Sequence, residues 1–396
     1  MSNPTRRHAL AVVLAVSTSA VLASCAQDGP RSARPDAAPV AVSTEPADVP
    51  EAPGAAVVTG TVWVANEDGN SLTAIDASTY EVLSTVTGIE SPHNVQVSPD
   101  GAAVWAVSGH NHAVVSIDAA SLRVLGAAPT GVSPAHVVLA PDGTRAYVTN
   151  AGDDTLSSYE VAEVAAGEAA EGTSLKLGEG PHGLRPSADG SLLVVANTHA
   201  GTIDLVETAD LTVEATIEVG DSPVQVALDP DGRYAYVSLA GDGAVAKVDL
   251  DARTVVATVD VSAAPVQLYL TPDGSRLVSA DQGTDEEPGD SVSVIDVETM
   301  TVTATIATGS GPHGVVIDPT GTSAWVTNLY DDTVSVLDLT TARAVATIDV
   351  GDKPNGISFS SGPAPRSADA AVDVPDYSGD SHGDAAGEED GEEHDD

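Results

Sequence analysis

The turn Pro-Asp-Gly, or a near variant, ends at Gly101, Gly143, Gly190, Gly232, Gly274, Gly321 and, more loosely, Gly362, in steps of 42, 47, 42, 42, 47 and 41 residues. A chain punctuated so regularly is built from repeats, and each unit must stack on its neighbours to bury its apolar faces. The unit from Gly311 to Pro354 shows the contents. It reads Gly-Pro-His-Gly-Val-Val-Ile-Asp-Pro-Thr-Gly, then Ala-Trp-Val-Thr-Asn (324–328), Thr-Val-Ser-Val-Leu-Asp (333–338) and Ala-Val-Ala-Thr-Ile-Asp-Val-Gly (344–351). Four short runs of β-branched residues between turn residues predict a four-stranded antiparallel sheet. Four strands at this period predict an all-β fold, a β-propeller.

Units open near Pro92, Pro134, Pro181, Pro223, Pro265 and Pro312. The first strands, Val57 to Gly88, lack an opening inner strand, whereas Pro354-Asn355-Gly356-Ile357-Ser358-Phe359 is an inner strand with no unit after it. The two fragments are complementary, so the C-terminal strand is expected to complete the N-terminal blade and close a ring of seven. The propeller is thus placed at residues 57–362. The second unit carries an extra Val161 to Gly172, and the fifth an acidic insert from Gln282 to Asp290.

Ala-Trp-Val-Thr-Asn has relatives in Ala-Tyr-Val-Thr-Asn (146–150), Val-Trp-Val-Ala-Asn (62–66) and Val-Val-Ala-Asn (194–197). With Pro-His-Gly and Pro-Asp-Gly around it, this word resembles the YVTN-type β-propeller repeat family across about 57–362. The resemblance implies a propeller and no single activity, since members of that family bind varied partners.

The rest of the chain concerns location. Arg6 and Arg7, an apolar run from Ala9 to Ala23 and Leu-Ala-Ser-Cys ending at Cys25 describe an export signal (1–24) with a lipobox-like end. Cys25 is the one cysteine, which rules out an intrachain disulfide and makes it the expected lipid attachment point; the competing reading is an incidental cysteine in an ordinary signal peptide. Residues 25–56, rich in Ala, Pro, Asp, Glu and Ser, read as a disordered tether, and 363–396, with twelve acids, as a disordered acidic tail. The expected location is the outer face of the cell membrane, held by lipid on Cys25. A net charge of −44 repels phosphate backbones, so nucleic acid is not an expected partner.

Of ten histidines, seven fall at two positions of the repeat. His93, His136, His182 and His313 follow the opening proline of a unit by one or two residues; His110, His112 and His199 sit between second and third strands. In an up-and-down blade both positions emerge on one side of the disc, and inner strands ring the central channel. The four opening histidines are therefore expected to converge at its mouth, with Gln225, Gln267 and Asn355 supplying polar groups in the remaining units. Imidazoles from separate strands suit Zn, Cu or Fe, and the acidic insert emerges on the same face. The alternative is that Pro-His-Gly serves turn geometry around a polar, metal-free mouth. The acids that follow third strands, Asp76, Asp118, Glu207, Asp249, Asp296 and Asp338, are read as acceptors of turn amides.

No nucleophile elbow, His-Glu-x-x-His motif, cysteine pair or phosphate-binding glycine loop is present. The expected function is a surface-tethered binding or scaffolding module that uses the histidine-bearing face, with a small ligand or an envelope protein as partner. The alternative is a metal-dependent hydrolase or lactonase, or a redox protein, working at the channel mouth.

Overall fold

A computed structural model describes residues 58–167, 170, 172–362 and 369–379. The signal, the tether, Cys25 and the terminal acidic run lie outside the described residues. The described residues form seven sheets, six antiparallel ones of four strands and one of five. Their inner strands are Val95–Val97, Pro134–Leu139, Pro181–Pro186, Pro223–Leu228, Pro265–Leu270, Pro312–Ile317 and Pro354–Ser360. The expected seven-bladed propeller is the fold.

Burial follows position within the blade. Second strands such as Thr61–Asn66 are buried throughout, whereas outer strands such as Thr254–Asp260 alternate exposed and half-buried residues. A sheet sandwiched between neighbours needs apolar side chains on both faces, while the outermost strand meets water. Trp63, Trp105 and Trp325 are buried in second strands and fill the space between blades, as expected of packing residues. The turn glycines from Gly101 to Gly321 hold φ between 69° and 73°, a left-handed conformation that explains why glycine recurs there. The aspartates after third strands also behave as expected. Asp76 Oδ1 accepts the amides of Ser78 and Thr79 at 2.8 and 3.0 Å, and Asp338 Oδ1 those of Thr340 and Thr341.

The ring closes between the ends of the repeat region. Thr61–Asn66 pairs with Pro354–Ser360 in the register Thr61↔Ser360, Val62↔Phe359, Trp63↔Ser358 and Val64↔Ile357. That pairing removes the two open edges a linear stack would leave.

Two details depart from the sequence reading. The Val161 insert forms a short helix, Val161–Ala165, at the rim of the second blade. The tail expected to be patternless from 363 is ordered over 369–379. Ala370 and Ala371 pair in parallel with Val86 and Thr87, Val374 is buried, and the Tyr377 amide donates to the Asn111 carbonyl at 2.9 Å. The outer strand Val82–Thr87 would otherwise expose a free edge, and this segment covers it. No helix among the described residues is long and apolar enough to cross a membrane.

Candidate metal centre at the channel mouth

One local irregularity, repeated in several blades, aims side chains into the channel mouth. Where an inner strand meets its neighbour, three residues on the inner strand span two on the other: Pro181↔Asn197 is followed by Leu184↔Val195, Pro223↔Leu239 by Val226↔Val237, and Pro312↔Asn328 by Val315↔Val326. The extra residue is a β-bulge, which lifts the two residues after the proline out of the ladder and turns them toward the axis. The freed amide needs an acceptor, and the hydroxyl of the Val-Thr-Asn word supplies it. Thr149 Oγ1 accepts from the His136 amide at 3.1 Å, and Thr327 Oγ1 from the Gly314 amide at 2.7 Å. The same hydroxyls donate to the next blade, to the carbonyls of His182 (2.6 Å) and Asn355 (2.8 Å). The repeat word thus fastens each bulge and links each blade to its neighbour.

Four imidazoles meet there. Ring centroids of His93 lie 5.5 Å from His136, 5.1 Å from His182 and 5.9 Å from His313, and His136 and His182 are 4.7 Å apart. His93, His136 and His182 place one ring nitrogen each within 4.8 Å of one another. Hydrogen bonds set their tautomers. His182 Nδ1 faces the Val224 carbonyl at 3.3 Å and donates to it, which leaves Nε2 as a lone pair; that Nε2 lies 3.1 Å from His93 Nε2. Asn355 Nδ2 contacts both Glu67 Oε2 at 2.7 Å and His93 Nδ1 at 3.0 Å. His136 Nε2 and His313 Nε2 are buried and without a partner among the described residues. Gln282 accepts from His313 Nδ1, so the lone pair of His313 also points inward.

Burial keeps His136, His182 and His313 neutral. It pushes His136 and His313 well below the usual histidine value and His182 down to about 3, and the charges of the neighbouring histidines add to the effect. Glu67 shows the reverse balance. Burial raises its carboxyl, but the nearby His93 ring, a hydrogen bond from Asn355 and the Lys353 ammonium bring it down to about 2. The mouth therefore presents imidazole nitrogens, three of them held neutral by burial, backed by one carboxylate. A tetrahedral zinc shell, with Zn–N near 2.0–2.1 Å, separates its nitrogens by roughly 3.3 Å, close to the 3.1 Å between His93 and His182.

Not every expected residue joins this group. His93, His136 and His182 do; His313 stands beside them; Asn355 orients His93. His110 lines the cavity of ≈ 300 Å³ above His93 and His182. His112 takes φ 46° in its turn, and His199 packs against Gly180; neither lines that cavity. Gln225 and Gln267 follow their prolines by two residues, as His136 does; the Gln225 amide turns to Gln267 at 3.5 Å, and Gln267 lines a second cavity along the channel. The acidic insert extends a hairpin, and Asp285 bonds Tyr330 instead of facing the histidines. It is Glu67, from the loop of the N-terminal half-blade, that brings a carboxylate to the site. Its signal was its place between second and third strands, the same loop position as His110.

A family model described as "Lactonase, 7-bladed beta-propeller" matches residues 118–216 and 206–368. Among solved structures, hydrazine synthase of Kuenenia stuttgartiensis shares 22% identity over 67% of this chain and 89% of its own, with a TM-score of 0.60. A functionally unknown protein from Desulfotomaculum acetoxidans shares 16% over 76% and 99%, with a TM-score of 0.65. A candidate 6-phosphogluconolactonase from Bacteroides fragilis shares 18% over 78% and 100%, with a TM-score of 0.66. At these identities the likeness concerns the fold. No curated protein matches the sequence.

Proposed function

This chain belongs to the family of seven-bladed, lactonase-type β-propellers, and we propose that it serves as a binding protein whose channel mouth holds a transition-metal ion, zinc before copper or iron. The observation that carries the reading is the convergence of His93, His136 and His182 from three separate blades, with ligand nitrogens within 4.8 Å. Neutral imidazoles without a thiolate suit zinc, and a three-histidine set leaves a further position for water or a bound molecule. Glu67, at 3.6 Å from His93 Nδ1, stands where an outer carboxylate fixes a ligating ring. On binding, His93 would shift its proton to Nδ1, toward Glu67, and free Nε2 for the ion. We read the protein as exported and held at the membrane surface by lipid on Cys25, which would place this mouth outside the cell.

Elemental analysis after exposure to zinc and dialysis tests the reading. One zinc per chain, absent from His136→Ala and His182→Ala, is expected; less than about a tenth of an equivalent in the unaltered protein contradicts it.

A second reading rests on the Glu67–His93 pair. A carboxylate such as Glu67 beside an open metal position can draw a proton from water, the requirement for opening a lactone ring. Turnover of a panel of lactones that falls with Glu67→Gln supports a hydrolase; metal binding without turnover supports the binding role alone.

A further inference from the structure

At the other end of the channel the fourth residue after each opening proline forms a second ring. It comprises Gln96, Val138, Ala227, Tyr269, Val316 and Ser358 together with Arg185. Six of the seven line a single cavity of ≈ 250 Å³, and Ala227 lines an adjoining hollow of ≈ 180 Å³ that shares Arg185 and Tyr269. Arg185 is half-buried, and burial lowers its guanidinium from the usual value. Among the described residues it has no carboxylate partner and no hydrogen bond. It stands over the Tyr269 ring, 5.8 Å from the centroid. The same cavity is lined by Gln267, whose Nε2 is buried and without a hydrogen-bond acceptor. Neither donor group has an acceptor within hydrogen-bond distance, a costly arrangement unless something else supplies one.

We propose that this end of the channel binds a small organic monocarboxylate, with Arg185 gripping the carboxylate and Gln267 donating a further hydrogen bond. The planar guanidinium fork matches the two oxygens of a carboxylate. One cationic group balances a single negative charge, which favours a carboxylate over a phosphate dianion in so acidic a protein. Val316 and Phe359 give the wall an apolar portion for a hydrocarbon body. The cavity lies near the lower limit of ligand pockets, roughly 300–1,000 Å³, and so calls for a small molecule.

Calorimetric titration of the full chain with butyrate and benzoate tests the proposal, with the neutral butyramide and inorganic phosphate alongside. One carboxylate per chain is expected, with no binding of butyramide. Affinity should fall on the order of tenfold or more in Arg185→Met, fall less in Gln267→Leu, and hold in His182→Ala. The unaltered protein gives a second readout: an arginine-selective dicarbonyl reagent should label Arg185, and benzoate should slow that labelling. The proposal is overturned if neither carboxylate binds by about 10 mM and neither slows the labelling, if binding survives Arg185→Met, or if phosphate binds more tightly than both.

Discussion

The two ends of one channel are built from the same seven strands and carry opposite chemistry. At the proline-opening end the blades present acceptors: imidazole lone pairs, two of them on buried nitrogens without a partner, with Glu67 behind. Deeper in the channel they present donors that have no acceptor, Arg185 four residues after its proline and, nearer the bulge, the amide of Gln267. What differs is the local backbone. The bulge near the mouth turns adjacent residues toward the axis, and threonine hydroxyls fasten it; beyond the bulge the regular pleat resumes and sends only alternate residues inward. A repeat fixes where side chains point, and single substitutions within it decide what each end can bind.

The strongest way to break this comparison is to remove an imidazole. His136→Ala or His182→Ala should weaken zinc binding by more than the roughly 10–100-fold typical of an outer-shell change, while carboxylate binding at the far end stays within a few-fold. Equal losses at both ends would show a general disturbance of the channel. Glu67→Gln comes next. It keeps the shape and removes the charge behind His93, so zinc affinity should drop roughly 10–100-fold in direct titration. An unchanged affinity would mean that Glu67 orients nothing.

The pH dependence of stability sharpens the contrast in the metal-free protein. His182 has a folded value of about 3, and His136 and His313 are also lowered, against an unfolded value near 6.5. The unfolded chain therefore takes up protons first as pH falls. Their contribution to stability is complete above about pH 6.5 and is lost progressively below it, at up to about 1.4 kcal/mol per pH unit for each buried ring and less for half-buried His182. Glu67, lowered to about 2, acts in a separate window below about pH 4.5. Urea melts at pH 7 and pH 5 should show the histidine loss, and His136→Gln should flatten it; equal slopes would contradict the assignment. The smallest effect belongs to the donor end. Arg185→Met relieves an unpaired, desolvated charge and should leave the protein equally stable or about 1 kcal/mol more stable, since the group is only half-buried. A loss above about 2 kcal/mol would show that Arg185 holds structure together.

The sequence carried much of this. Six punctuated units and two complementary end fragments point to a closed ring of seven, and the placement of histidines after opening prolines points to the mouth, because strand order alone decides on which side of a disc a loop emerges. What escaped the reading depends on contacts between units. Glu67 lies in the N-terminal half-blade and reaches His93 only because the ring closes beside it. Residues 369–379 follow a turn-rich stretch, and only the exposed edge of Val82–Thr87 gives them a place. Arg185 was legible in principle: it stands at a position where the other units carry Gln, Val, Ala, Tyr, Val and Ser.

The central claim is that three imidazoles from three blades hold one ion. X-ray absorption at the zinc edge, on protein loaded with one equivalent, addresses it without any substitution. The account predicts at least three imidazole nitrogens at about 2.0–2.1 Å, retained when residues 380–396, with their acids and two histidines, are removed. A shell made of oxygen alone, or a zinc signal that disappears with that tail, would contradict it.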